Sequence, residues 1–208
     1  YAVSISYVIT LHKTNYMSLH GQKTTTTSME WDQFKSLISK LERDGEYKFC
    51  LLIVIGVFTG LRISDLLQLK FSQFTGTDFL YVTETKTKKE RRIKINSDLK
   101  DIIERVKPKM NIVDDENFIF LNRYGTKPID KSYVNVKLKE LLHKYDIHLE
   151  GNVSSHMFRK TLGNRALKLN NYSNESIILL MELFNHSSPV TTKRYLGVRN
   201  SEIESIYD

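Results

Sequence analysis

Apolar residues recur every three or four positions along much of the chain, which is the spacing of one face of an α-helix. The first such stretch follows Thr27 and Glu30, which have the spacing of a capping box, and it ends at Asp44-Gly45. Residues 46–58 are apolar nearly all round and predict a central buried helix. Further helices with one apolar face are predicted at residues 63–71, 99–107, 134–145, from 156 onward, and 176–184.

A small amount of β-structure is predicted between these helices. Residues 79–83 and 92–95 have the composition and alternation of two paired strands, and residues 117–121 those of a short buried strand. The connection at 85–91 is rich in Lys and Arg, so it is either a solvated hairpin tip or a finger that contacts a DNA groove or its phosphates. The predicted fold class is therefore mainly α with a small antiparallel β-sheet or hairpin, an α+β protein.

Composition narrows the classes of partner. The 208 residues carry a formal charge of +7, which favours an acidic partner, with nucleic acid first and an anionic membrane surface second. The longest apolar run, Phe49 to Phe58, is about half of the ~20 residues that a membrane-spanning helix requires. Cys50 is the single cysteine, so an intramolecular disulfide is impossible and a buried thiol in a reducing cytoplasm is expected.

Two segments are expected from the change in the pattern of apolar and polar residues along the chain. Residues 1–23 are predicted to be a leader or the tail of a preceding domain, and residues 24–208 to form one domain. Because the chain starts at Tyr1 and not at Met, we interpret it as part of a longer protein. The chain has neither a carboxylate cluster suited to Mg²⁺ nor a Cys/His zinc spacing, so no metal and no other cofactor is expected.

Several basic and aromatic side chains are candidates for chemistry. Arg62 follows the buried helix and a Gly turn, where a guanidinium needs an anionic partner, and Asp65 is one candidate. His156 and Arg159 share one face near a helix start, a plausible phosphate site but a common pattern. His186 and Tyr195 are separated by a Ser/Pro break, and a lone Tyr of this kind is usually half-buried packing.

Taken in order, these elements resemble the catalytic domain of the tyrosine recombinases, the integrase family of phages and mobile elements. Residues 59–66, Thr-Gly-Leu-Arg-Ile-Ser-Asp-Leu, are similar to the family's first box. Residues 155–159 and 184–195 are similar to its second box. The resemblance covers roughly residues 24–208, and Asp65 stands where many relatives have Glu.

The resemblance implies a role for each candidate residue. Arg62 and Arg159 would neutralise the scissile DNA phosphate, and His186 would donate a hydrogen bond to it. His156 would act as general acid or base beside the nucleophile Tyr195, and Lys86 on the hairpin would protonate the departing 5′-oxygen. Lys88 and Lys89 compete with Lys86 for that role and are otherwise assigned to DNA binding. The implied catalytic residues are thus Arg62, Lys86, His156, Arg159, His186 and Tyr195.

The implied partners are double-stranded DNA and further copies of the chain. A tetramer on DNA is expected, in which the C-terminal stripe of Ile203, Ile206 and Tyr207 docks either on a neighbouring protomer or on its own domain. Family members usually carry a separate core-binding domain before the catalytic one, and it is missing from these residues. A bacterial cytoplasmic protein associated with the nucleoid is expected. The alternatives are a type IB topoisomerase and a DNA-binding module that has lost catalysis.

Overall fold

Helices make up most of the part of the chain that the structure, a computed structural model, describes: residues 26–110, 112, 114–198 and 207. The expected leader at 1–23, as well as Ile203 and Ile206 of the C-terminal stripe, lie outside these residues. The α-helices are α1 (Trp31–Arg43), α2 (Tyr47–Thr59), α3 (Ile63–Leu66), α4 (Ser97–Val106), α5 (Lys131–Lys144), α6 (His156–Leu169), α7 (Asn174–Phe184) and α8 (Pro189–Leu196). Short 3₁₀ turns at Phe71–Gln73 and Lys107–Met110 accompany them.

One antiparallel pair of strands, β1 (Phe79–Thr83) and β2 (Glu90–Lys94), forms the sheet of the described residues. Leu80 lies opposite Ile93, and Thr83 opposite Glu90. The predicted fold class, mainly α with a small antiparallel sheet, is confirmed. The second strand begins two residues earlier than predicted, so Arg91 belongs to the strand and not to the tip. The region expected to hold a third strand, 117–121, makes only isolated bridges, Lys70 with Phe118 and Leu121 with Pro128.

Helix α2 occupies the centre of the core, because its sequence offers apolar side chains on every face. Its residues from Phe49 to Val57 are buried without exception, and the helix packs against α1, α4 and α6. It ends at Gly60, whose φ of 60° lies in the left-handed region that glycine adopts at low cost. The prediction of a central buried helix is therefore confirmed.

Two local predictions about helix ends were wrong. Helix α1 is capped by Glu30 with Gln33, and not by Thr27 with Glu30: Gln33 accepts a hydrogen bond from the amide of Glu30 at 3.0 Å. Residues 63–71 form a helix of four residues and a separate 3₁₀ turn, although Leu66 and Phe71 face the core as expected. Short apolar stretches fit either a long helix or two short turns, and tertiary packing decides between them.

Helices α6, α7 and α8 enclose a second, smaller apolar cluster that includes Leu180, Phe184 and Leu196. Gly163 on α6 allows α8 to lie close. A Cβ atom at this position would lie 2.6 Å from the side chain of Leu196 and 3.1 Å from that of Phe184. The absence of a side chain at Gly163 thus sets how near the helix that carries Tyr195 comes to α6.

We expect Gly163→Ala to lower the free energy of unfolding by about 1–3 kcal/mol, the usual cost of forcing extra volume into a packed interior. Chemical denaturation monitored by circular dichroism measures the change. Leu169→Ala on the same helix is the control, since Leu169 is 63% exposed and its loss should have little effect. An unchanged unfolding midpoint for Gly163→Ala would show that α8 moves away without cost.

Candidate active site

The turn after α2 carries the first predicted site residue, Arg62, which precedes α3. Its Nη1 donates to Oε2 of Glu84 at 2.5 Å, and its Nη2 donates to the carbonyl oxygen of Phe184 at 3.5 Å. The guanidinium is only partly exposed, so a carboxylate partner is what burial of this charge demands. That partner stands 22 residues further along the chain, on the hairpin.

Asp65 is not the partner of Arg62, and this prediction was wrong. The Asp65 carboxylate is 3% exposed, and its Oδ1 accepts a hydrogen bond from the amide of Thr85 at 2.9 Å. Its other oxygen has no hydrogen-bond partner among the described residues. The short side chain of Asp65 thus fixes the hairpin backbone beside α3, and it leaves the guanidinium of Arg62 to the longer Glu84.

Arg159 lies on α6 with only 4% of its surface exposed. It donates to the carbonyl oxygen of Gly60 at 2.6 Å and to that of Phe184 at 3.1 Å. Burial lowers the pKa of Arg159, yet an arginine stays charged at any physiological pH. Because Phe184 accepts hydrogen bonds from both Arg62 and Arg159, the two guanidinium groups lie side by side at the end of α7.

His156 is the first residue of α6 and its side chain is exposed. Desolvation by the surrounding protein lowers the pKa of its imidazole, and the charges of Lys131, Arg159 and Arg62 lower it further. Since the ordinary histidine pKa is about 6.5, this side chain is neutral at pH 7. A neutral imidazole can accept a proton, which is the requirement for a general base.

His186 follows the left-handed residue Asn185 that ends α7. Its Nδ1 lies 3.0 Å from the hydroxyl of Thr192, and this contact fixes the ring so that Nε2 remains for another partner. Burial lowers the pKa of His186, and the charges of Arg159 and Arg62 add to that effect. The imidazole packs edge-on against the ring of Tyr195, with 5.1 Å between ring centres.

Tyr195 lies on α8 with its side chain half-buried, and its hydroxyl donates to the carbonyl oxygen of His156 at 3.4 Å. Burial raises the pKa of the phenol, and the positive charges of Arg159 and Arg62 offset part of that rise. The phenol is therefore protonated at neutral pH. The amine of Lys160 lies 5.5 Å from the centre of its ring. Its ring also packs against Phe184 at 5.7 Å.

The structure thus brings five of the six candidate catalytic residues together: Arg62, His156, Arg159, His186 and Tyr195. Lys86 stands apart on the turn between β1 and β2, exposed and with no side-chain hydrogen bond or ion pair to any described residue. Of the two lysines assigned to DNA binding, Lys88 is exposed with a φ of 56°. The amine of Lys89 donates to the side-chain oxygen of Asn185 at 2.7 Å, next to His186.

Glu84 and the carbonyl oxygen of Phe184 are parts of the site that sequence reasoning missed. Glu84 was detectable as the acidic residue that directly follows the first strand and precedes a basic run. A backbone carbonyl has no sequence signature, so the acceptor role of Phe184 could not have been found. Among the described residues, no three His, Cys, Asp or Glu side chains are grouped as a metal site, and no helix is long and apolar enough to cross a membrane.

Comparison with known proteins identifies the class to which this fold and site belong. Residues 27–202 match the phage integrase family. A probable integrase/recombinase of Bacillus subtilis, YoeC, is 30% identical over 171 residues, which are 82% of this chain and 86% of that protein. The chain therefore belongs to the phage integrase family, and its homologues are tyrosine-type site-specific recombinases.

Solved structures share the fold. A XerH site-specific recombinase bound to its palindromic difH substrate, in a post-cleavage complex, matches with a TM-score of 0.64 at 19% identity. The Tn1549 transposon integrase in complex with circular intermediate DNA matches with a TM-score of 0.58 at 24% identity. The matches cover 88% and 81% of this chain, but only 53% and 60% of the two recombinases.

Proposed function

We propose that this chain is the catalytic part of a mobile-element recombinase that cleaves and rejoins DNA through a 3′-phosphotyrosyl intermediate, without metal or ATP. The observation that carries the proposal is the position of the Tyr195 hydroxyl, 3.4 Å from the His156 carbonyl oxygen and beside two adjacent guanidinium groups. A phenol in this setting lies beside the positive charges that would stabilise a phosphodiester while the phenol attacks it.

The two arginines supply charge stabilisation in this proposal. In-line attack on a phosphodiester concentrates negative charge on its nonbridging oxygens. Arg62 and Arg159 bind these oxygens, and Nε2 of His186 adds a hydrogen bond, because its Nδ1 is already committed to Thr192. Positive groups that are fixed before substrate arrives cost no reorganisation during the reaction.

The remaining residues move protons. The Tyr195 oxygen forms a bond to phosphorus while the bond from phosphorus to the 5′-oxygen breaks. His156, neutral at pH 7, receives the phenol proton, and Lys86 donates a proton to the departing 5′-oxygen. The phosphotyrosyl bond keeps the energy of the phosphodiester, so the 5′-hydroxyl of a second strand can reverse the step.

A nicked suicide duplex that carries the element's crossover site tests the proposal. Cleavage releases a short strand from this duplex, so the enzyme stays covalently bound and the adduct survives denaturation. We expect the adduct to carry the DNA 3′-phosphate on Tyr195, as located by peptide mass mapping. Absence of any adduct would indicate that the chain is a DNA-binding module that has lost catalysis. Site-independent relaxation of a supercoiled plasmid would instead indicate a type IB topoisomerase.

The DNA-bound assembly is a further part of the proposal. A tetramer on DNA, associated with the bacterial nucleoid, would be held by the C-terminal stripe of one protomer in an apolar groove of the next. An exposed groove of about 320 Å³ lies between α6 and α7 and is lined by Leu162, Leu179 and Leu183, among others. Gel filtration of DNA complexes should yield smaller assemblies for Leu179→Ser than for the unaltered chain. DNA complexes of equal size would indicate that the C-terminal stripe docks on its own domain.

We expect Lys88→Ala and Lys89→Ala to weaken binding to DNA of any sequence and to reduce the slope of log affinity against log salt by about 1 each. Both side chains lie at the hairpin that carries Lys86, where phosphates would approach. Fluorescence anisotropy at several salt concentrations measures the slope. Lys35→Ala on α1, which removes the same charge from a pair with Asp32, is the control. A slope that stays constant would make both residues ordinary solvated lysines.

A further inference from the structure

Glu84 is the most completely buried carboxylate of the hairpin, with 1% of its surface exposed. Its Oε2 accepts hydrogen bonds from Nη1 of Arg62 at 2.5 Å and from the hydroxyl of Thr87 at 2.8 Å. Its Oε1 accepts from Nη1 of Arg91 at 3.3 Å. A carboxylate in this position must stay paired, because an unpaired buried charge is costly.

The backbone of Glu84 also closes the loop that carries Lys86. The Glu84 amide donates to the carbonyl oxygen of Lys89 at 2.9 Å, and the Lys88 amide donates to the carbonyl oxygen of Glu84 at 2.8 Å. Lys86 lies midway in this loop, and its neighbour Thr87 is bound to the Glu84 carboxylate. The backbone position of Lys86 is therefore set by a loop whose ends contact the Glu84 backbone and whose Thr87 hydroxyl contacts the Glu84 carboxylate.

A third contact ties the same carboxylate to the start of the site. Arg91 donates through Nη2 to the carbonyl oxygen of Thr59 at 3.3 Å, at the end of α2, while its Nη1 reaches Glu84. Burial by itself raises the pKa of Glu84, but the hydrogen bonds from Thr87 and Arg62 and the two arginine charges bring it below its ordinary value. Glu84 is thus an anion at neutral pH and joins α2, Arg62 and the hairpin loop.

We propose that Glu84 is a positioning residue that holds Arg62 and the loop of Lys86 in a single arrangement, so that phosphate neutralisation and leaving-group protonation act on the same DNA phosphate. The inference rests on the proposed function above, because it assigns Lys86 and Arg62 their partners in strand cleavage. Glu84 itself does not touch the reacting atoms: Arg62 covers one of its oxygens and Arg91 the other.

A substrate with a sulfur atom at the scissile 5′-bridging position separates this role from general structural support. A thiol has a pKa of about 8.5 and leaves as a thiolate, so its departure needs no donated proton. We expect Glu84→Gln to slow cleavage of the oxygen substrate about 100-fold, the cost of a displacement of roughly 1 Å. On the sulfur substrate, the part of the loss that comes from a displaced Lys86 should disappear. The part that comes from a displaced Arg62 should remain.

Thr87→Val tests the loop contacts, since it removes the hydroxyl that donates to Glu84 and accepts from the Lys89 amide at 3.4 Å, and it leaves the pair of Glu84 with Arg62 in place. We expect a loss of about tenfold on the oxygen substrate that the sulfur substrate restores, and Thr87→Ser should cleave at the normal rate. Glu90→Gln, an exposed carboxylate on the same hairpin, is the control for loss of charge. Circular dichroism melting identifies any variant that fails to fold.

The outcomes distinguish a failure of the positioning role of Glu84 from a failure of the proposed function. If the unaltered chain forms the covalent adduct while Glu84→Gln and Thr87→Val are folded and cleave the oxygen substrate normally, the positioning role is wrong. Losses that are equal on the oxygen and sulfur substrates for both variants also overturn it, since they would leave Lys86 unaffected. If the unaltered chain forms no adduct with either substrate, the proposed function fails first.

Discussion

Tyr195→Phe should form no covalent adduct with the nicked duplex, while its affinity for the same DNA stays within about twofold. The substitution removes only the hydroxyl that would attack phosphorus. The phenyl ring retains its packing on Phe184 and His186, and the lost hydrogen bond to the His156 carbonyl is long, at 3.4 Å. Denaturing electrophoresis measures the adduct, and fluorescence anisotropy measures the affinity.

Tyr172→Phe is the matched control for Tyr195→Phe. Tyr172 lies on the turn between α6 and α7, 50% exposed, so the same chemical change there should leave cleavage at the normal rate. An adduct formed by Tyr195→Phe at more than trace level would show that another residue is the nucleophile. Equal thermal melting of the two variants would exclude unfolding as the reason for any loss.

The parts of the molecule that could be predicted from sequence are those decided by neighbouring residues. Helix α2 is apolar on all sides, so its burial follows from residues 47–59 alone. The residue types at 59–66, 155–159 and 184–195 carried the resemblance to an integrase site, and the structure brings Arg62, His156, Arg159, His186 and Tyr195 together. Their roles in catalysis stay predictions.

What could not be predicted depends on contacts between distant segments. Asp65 was a candidate partner of Arg62 because it is only three residues away. Glu84 is 22 residues away and meets Arg62 only because the hairpin lies beside α3. The cap of α1 shows the same limit at short range. Thr27 and Glu30 had the right spacing, but Met29 donates its amide to Thr161 of α6, and the helix starts three residues later than that cap requires.

The second large effect is expected for the two arginines. Arg62→Ala should slow formation of the adduct by about 10³-fold, which is the upper range for removing one preorganised donor at a developing negative charge. Its affinity for uncleaved DNA should fall no more than about tenfold, because one phosphate contact among many contributes to ground-state binding. Single-turnover cleavage under saturating protein measures the rate, and anisotropy measures the affinity.

A more conservative substitution is required at Arg159. Its guanidinium donates to the buried carbonyl oxygens of Gly60 and Phe184, and alanine would leave both oxygens without this donor. Arg159→Lys keeps the charge, but a compact ammonium cannot reproduce the planar fork whose separate nitrogens reach the two carbonyls, nor bind a phosphate with two parallel hydrogen bonds. We therefore expect a loss of about 10²-fold or more in cleavage with little loss of binding. Arg123→Ala, at an exposed turn, is the control for the lost charge of Arg62→Ala. If cleavage and binding fell by equal factors in both variants, the arginines would contribute to the binding of uncleaved DNA and not specifically to stabilisation of the transition state.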